Sequence, residues 1–167
     1  MKPGSAEAKV VDVAAAAAAV RAWRAAGETE VFANGVFDLI HAGHVRHLAA
    51  ARAQGTKLVV GVNGDRSAAA LKGRGRPVLG ARDRARLVAA LRVVDRVVIF
   101  DERSADAILE HLAPDVHAKG TDYRPDTVPE RPTMAALGGR TVVTGDPKRH
   151  ASRELYERVR ERHSQAP

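Results

Sequence analysis

The sequence contains no cysteine, which excludes disulfides, thiolate zinc sites and a cysteine nucleophile, and fits a reducing compartment. Aromatic residues make up only 4% of the chain, so the stacking platforms of single-strand nucleic-acid binders are largely missing. No apolar run approaches the roughly 20 residues that a membrane span needs. The longest, Val10-Val11 and then Val13 to Val20, is broken by Asp12, and the Arg21, Trp23 and Arg24 that follow do not suit a signal-peptide cleavage site. No G-x-G-x-x-G follows the first predicted strand, which sets aside a dinucleotide-binding dehydrogenase. These absences point to the cytoplasm, without a membrane partner.

Among the residues present, 27 Lys and Arg stand against 20 Asp and Glu, a formal net charge of +7 that calls for an anionic partner. The basic residues are scattered rather than gathered in a stripe, which favours phosphate esters over nucleic acid. At 167 residues a single domain is expected, long enough to bury roughly two-thirds of its unfolded surface without staples.

Residues 1–8 are small and polar and read as a loose tail. An N-terminal helix is expected within 9–28, capped by Asp12 and stopped at Gly27; its six alanines at 14–19 are strong helix formers. A catalytic core over 29–163 then alternates strand and helix. Strands are predicted at Val31–Asn34, Lys57–Asn63, Arg96–Phe100, Asp115–Ala118 and Arg140–Thr144. Helices are predicted at Gly43–Gln54, Arg82–Leu91, Ser104–Leu112 and Ala151–His163, with Pro125, Pro129 and Pro132 marking a surface excursion. Strands that are apolar throughout imply burial on both faces, so the fold class is α/β, a doubly wound, five-stranded parallel sheet of Rossmann-like type. Ligands of such sheets bind at the carboxyl ends of the strands.

The first of those ends reads Asn34-Gly35-Val36-Phe37-Asp38-Leu39-Ile40-His41-Ala42-Gly43-His44. A helix N-terminus offers free N–H groups and the positive end of the helix dipole to an anion. Two imidazoles three residues apart share one face of the first turn, and Gly43 leaves the backbone open to a phosphate. Nucleotidyl transfer needs such preorganised donors for charge developing on the α-phosphate. The spacing also fits two helix-surface histidines, or a zinc pair lacking carboxylates; its place at a strand-to-helix turn favours the anion site.

The run NGVFDLIHAGHVRHLAAARAQG resembles the opening of the HxGH cytidylyltransferase-like nucleotidyltransferases. VVGVNGDRSAAALKGRGRPV, DRARLVAALRVVDRVVIFDE and PDVHAKGTDY resemble the heptose 1-phosphate adenylyltransferase branch within them. That resemblance implies transfer of AMP from ATP to a heptose 1-phosphate, giving ADP-heptose and pyrophosphate; CTP with glycerol 3-phosphate or another small alcohol phosphate is the alternative. A non-catalytic nucleotide- or nucleic-acid-binding module is a reading of another class.

By the same resemblance His41, His44 and Lys72 would be catalytic, stabilising the α-phosphate without a covalent intermediate. Val36, Phe37, Gly43, Arg84, Lys119, Gly120, Asp122 and Ser152 would contact the nucleotide, and Asp38, Asn63, Asp65 and Arg74 the acceptor. Gly73 and Gly75 would let the loop after Lys72 move. Mg2+ would arrive with the triphosphate, since no cluster of Asp and Glu marks a dedicated metal cage. A homodimer and a separate upstream sugar kinase are also implied. Two departures stand out. His150-Ala151-Ser152-Arg153-Glu154 replaces the Ser-Thr-Thr run of the family, and His117 occupies a strand position where an aliphatic residue is expected; it reads as a satisfied core histidine.

Overall fold

The computed structural model describes residues 5–145 and 152–164, and in that second stretch the side chains of 155–162. Its centre is a parallel sheet of β1 (Glu30–Gly35), β2 (Lys57–Asn63), β3 (Arg96–Phe100), β4 (Val116–Gly120) and β5 (Arg140–Thr144), in the order β3-β2-β1-β4-β5. The chain winds outward from β1 through β2 to β3, then returns to β4 on the other side of β1. The order therefore reverses between β1 and β4, and sheets of this kind receive ligands at the carboxyl ends of the strands beside that point.

Both faces of the sheet are buried, as the apolar strands require. On one face Val31, Ala33, Val60 and Val97 pack against α3 (Ala42–Arg52) and α5 (Ala81–Ala89) through Leu48, Ala51, Ala85 and Val88. On the other, Phe32, Val59, Val98 and Phe100 pack against α2 (Val13–Ala25) and α6 (Asp106–Leu112) through Ala16, Val20, Ile108 and Leu109, with Met134 of α7 (Arg131–Ala136). Gly61 makes the second layer possible: a Cβ there would lie 2.6 Å from Phe32 Cζ and 3.0 Å from Phe100 Cε1. Asp12 caps α2 by accepting the Ala15 N–H at 2.7 Å, and Gly27 follows its end at φ 77°.

Three short helices depart from the sequence expectations. Ser5 caps α1 (Ala6–Lys9), where a loose tail was expected, and Val10 then bridges to Val97 beside β3, so local capping and one sheet contact order that stretch. Residues left unassigned after β2 form α4 (Asp65–Lys72), whose alanines favour helix and which Gly73 ends at φ 89°. The proline-marked excursion contains α7, which tolerates Pro132 in its first turn, where an N–H has no helical partner. The last helix, α8, spans Ser152–Ser164. Among the described residues no helix is long and apolar enough to cross a membrane.

Candidate active site

The turn after β1 is shaped by Phe37, which takes the left-handed conformation at φ 50° and is nonetheless buried. Its ring folds back over Gly35, where a Cβ would come within 3.2 Å of it, and meets the His44 ring edge-on at 5.2 Å. His41 is the N-cap of α3: its Nδ1 accepts the Gly43 N–H at 3.1 Å, so in the neutral ring Nε2 carries the hydrogen. His41 and His44 stack with centroids 3.9 Å apart and planes 25° apart.

His44 is the most perturbed group of the turn. Burial first, and then the positive fields of His41, His47 and Lys72, push its pKa down to about 4 against an opposing pull from Asp122. Its Nδ1 is buried without a hydrogen-bond partner in the protein. The protein therefore leaves one imidazole nitrogen without a partner beside a helix N-terminus and a lysine charge, the setting in which anions are bound.

The next turn of α3 adds His47, which the sequence expectations omitted although it continues the three-residue spacing. Its Nδ1 lies 2.9 Å from Thr144 Oγ1 and 3.1 Å from the Thr144 carbonyl, tying α3 to the end of β5. Burial outweighs the Thr144 hydrogen bond and, with Lys119, lowers its pKa; Asp122 opposes this. His44 thus lies in the field of Lys72 and Asp122, and His47 in that of Lys119 and Asp122.

Lys72 is the last residue of α4 and exposed; Arg74 follows in an exposed loop. Gly120, at the end of β4, borders open space, and Asp122 is exposed beyond it. Asn63 is buried and donates to Ser67 Oγ at 3.3 Å. Asp65 is largely exposed and accepts from Arg84 Nη2 at 2.8 Å.

Two residues implied to contact the substrates make extensive contacts within the protein. Arg84 is fully buried, and three of its nitrogens donate to the Val36 carbonyl at 2.6 Å, the Leu79 carbonyl at 2.8 Å and Asp65. It clamps the β1 turn to α4 and α5, and leaves Val36 holding a protein cation through its carbonyl. Asp38 is equally occupied. Its Oδ1 accepts from the backbone of Val78 and Leu79, and its Oδ2 from Arg76 and Tyr156. Burial raises its pKa, but these hydrogen bonds and the Arg76 charge hold it below the ordinary carboxylate value.

Lys119 is also engaged within the fold. It donates to Glu130 Oε1 at 3.0 Å and Asn34 Oδ1 at 3.3 Å, with its ammonium 4.9 Å from the Tyr123 ring centre. His117 Nε2 meets the same Asn34 oxygen at 3.0 Å, so one half of the core histidine is satisfied, while its Nδ1 is buried without a partner. Glu130 and Tyr156 carried no local sequence signal; their partners lie far along the chain. His150 and Ala151, and the side chain of Ser152, lie outside the described residues.

Residues 32–160, running from β1 into α8, match the family described as Cytidylyltransferase-like. The chain belongs to that family. It is a nucleotidyltransferase by class, and the HAGH turn lies at the switch point of its sheet. The chain is 47% identical over 135 residues to the Bifunctional protein HldE of Methylobacillus flagellatus, covering 81% of this chain and 28% of that protein. It is 44% identical over 139 residues to the Bifunctional protein HldE of Pseudomonas aeruginosa, covering 83% of this chain and 29% of that protein. The sequence thus spans under a third of these relatives. A solved structure, the lipopolysaccharide core biosynthesis protein from Thermoplasma volcanium, superposes with a TM-score of 0.64 at 30% identity, over 73% of this chain and all of that one.

Proposed function

We propose that the chain transfers AMP from ATP to a heptose 1-phosphate, releasing pyrophosphate and ADP-heptose. An oxygen of the sugar phosphate attacks the α-phosphorus in line, and the bond from that phosphorus to the bridging oxygen of the β-phosphate breaks. No covalent enzyme intermediate is needed. The observation that carries the reading is the buried, partnerless His44 Nδ1 at the N-terminal turn of α3, with His41 stacked on it.

In this reading His41 Nε2–H and His44 donate to the α-phosphate and the leaving pyrophosphate, and the exposed Lys72 and Arg74 screen the triphosphate from the adjoining loop. The buried Lys119 and Arg84 act on the shape and field of the site, because they are held by Asn34 and Glu130 and by Val36, Leu79 and Asp65. Among the described residues no group of three or more His, Cys, Asp or Glu could hold a metal ion. Mg2+ would arrive with the triphosphate and take most of its ligands from phosphate and water, with Asp122 as the nearby carboxylate.

The heptose acceptor is supported by the sequence blocks that resemble that branch and by the relatives named above. A kinase acting on the sugar must supply the 1-phosphate. A panel of ATP, CTP, GTP and UTP at a fixed concentration of heptose 1-phosphate tests the donor. ATP-dependent pyrophosphate release is expected; a preference for CTP with glycerol 3-phosphate would replace this reading with the cytidylyl one.

A further inference from the structure

The C-terminal helix meets the candidate active site through one side chain. Tyr156 of α8 donates its phenolic hydrogen to Asp38 Oδ2 at 2.7 Å, and the Arg76 guanidinium lies over the tyrosine ring, 3.0 Å from its centre. Arg76 Nη1 donates to the same Oδ2 at 3.1 Å. The second carboxylate oxygen, Oδ1, accepts the Val78 N–H at 2.8 Å and the Leu79 N–H at 3.1 Å. One buried carboxylate therefore joins three segments distant in sequence: the turn just before His41, the basic loop after Lys72, and α8.

That loop has little else to hold it. Residues 71–75 are exposed, and a Cβ placed at Gly73 or Gly75 would touch nothing within 4 Å. Few packed contacts mean a low cost of local opening, so the bonds at Asp38 decide where the loop rests. On α8, residues 157–162 are exposed, and Leu155 and Tyr156 are the half-buried side chains of the described stretch. The phenol is thus placed at a polar contact rather than in the apolar core. Burial and the Asp38 hydrogen bond push its pKa up to about 12, so it remains a donor throughout the physiological range.

We propose that Tyr156 is a positioning residue, which holds Asp38 and Arg76 together and so seats the basic loop over the HAGH turn, where Lys72 and Arg74 meet the phosphates of the substrates. The identity of those phosphates rests on the transferase reading; the latch itself does not.

Tyr156→Phe keeps the ring under Arg76 and removes one hydrogen bond. Amide hydrogen exchange on the full chain reads the latch without any substrate, with Val78 and Leu79 as reporters and the amides of β2 as internal control. Exchange at the two reporters is expected to accelerate about tenfold to a hundredfold, the factor one hydrogen bond to a charged group supports, while β2 is unchanged. Steady-state kinetics should show KM for the sugar phosphate rising by about the same factor, with kcat held within about twofold. Arg76→Lys, which keeps the charge and loses the planar stack, should move both readouts in the same direction. Unchanged exchange at Val78 and Leu79 overturns the proposal, and so does faster exchange with unchanged KM. Faster exchange in a protein whose wild type turns over no sugar phosphate supports the latch and contradicts the transferase reading.

Discussion

His41 and His44 lie ring on ring, 3.9 Å between centroids, and the His44 ring also meets Phe37 edge-on at 5.2 Å. Loss of water first, and then the fields of His41, His47 and Lys72, keep His44 neutral in the free protein. A triphosphate reverses the balance by bringing negative charge to the same spot.

Proton uptake on nucleotide binding follows. With the free pKa at about 4, His44 is unprotonated at pH 6, and a bound triphosphate raises its pKa. Affinity should therefore fall as pH rises from about 4 through the bound-state pKa. Calorimetry in buffers of different ionisation enthalpy should give a positive uptake at pH 6, lost in His44→Asn. Equal uptake in the variant would assign the proton elsewhere.

Glu30, at the far end of β1, predicts a pH dependence of stability. Burial, and then the neighbouring Asp115, push its pKa up to about 7, while Arg24 opposes the rise. The folded state therefore holds a proton that the unfolded chain releases above about pH 4.5. The contribution is present below that pH and is lost as pH rises through 7. Glu30→Gln, which keeps the shape and a donor, should raise the melting temperature at pH 8 and leave it nearly unchanged at pH 4. The gain is at most about 3 kcal/mol.

Arg84 should behave as a structural clamp. Arg84→Lys retains the charge but cannot reach the Val36 carbonyl, the Leu79 carbonyl and Asp65 from three nitrogens at once. Orphaned buried carbonyls cost roughly 1–3 kcal/mol each, so denaturant unfolding should show a loss of about 2 kcal/mol or more. Full stability with lowered nucleotide affinity would instead return Arg84 to the phosphates.

Much of the fold was legible because strand burial is written in residue type. KLVVGVN and RVVIF are apolar at nearly every position, and both run as strands over the residues expected, Lys57–Asn63 and Arg96–Phe100. The short helices were harder to read: α4 lies between glycines and α7 among prolines, and each depends on packing from elsewhere. The site divides in the same way. The HAGH turn is local chemistry, a cap and a stack made within four residues, and so is visible in the sequence. Asp38 and Arg84 announce a charge but not its partner. Tyr156 lies 118 residues from Asp38, and Val36 lies 48 from Arg84. Only the folded arrangement shows those carboxylate and guanidinium groups turned inward.

The most direct measurement is pyrophosphate release from Mg2+ and ATP with a heptose 1-phosphate, run on wild type and His44→Asn side by side, with folding of both checked by circular dichroism. Turnover that requires both substrates, and a folded variant slower by about a hundredfold or more, is the predicted result. Undiminished turnover in His44→Asn, or no pyrophosphate from the wild type with any triphosphate, would contradict it.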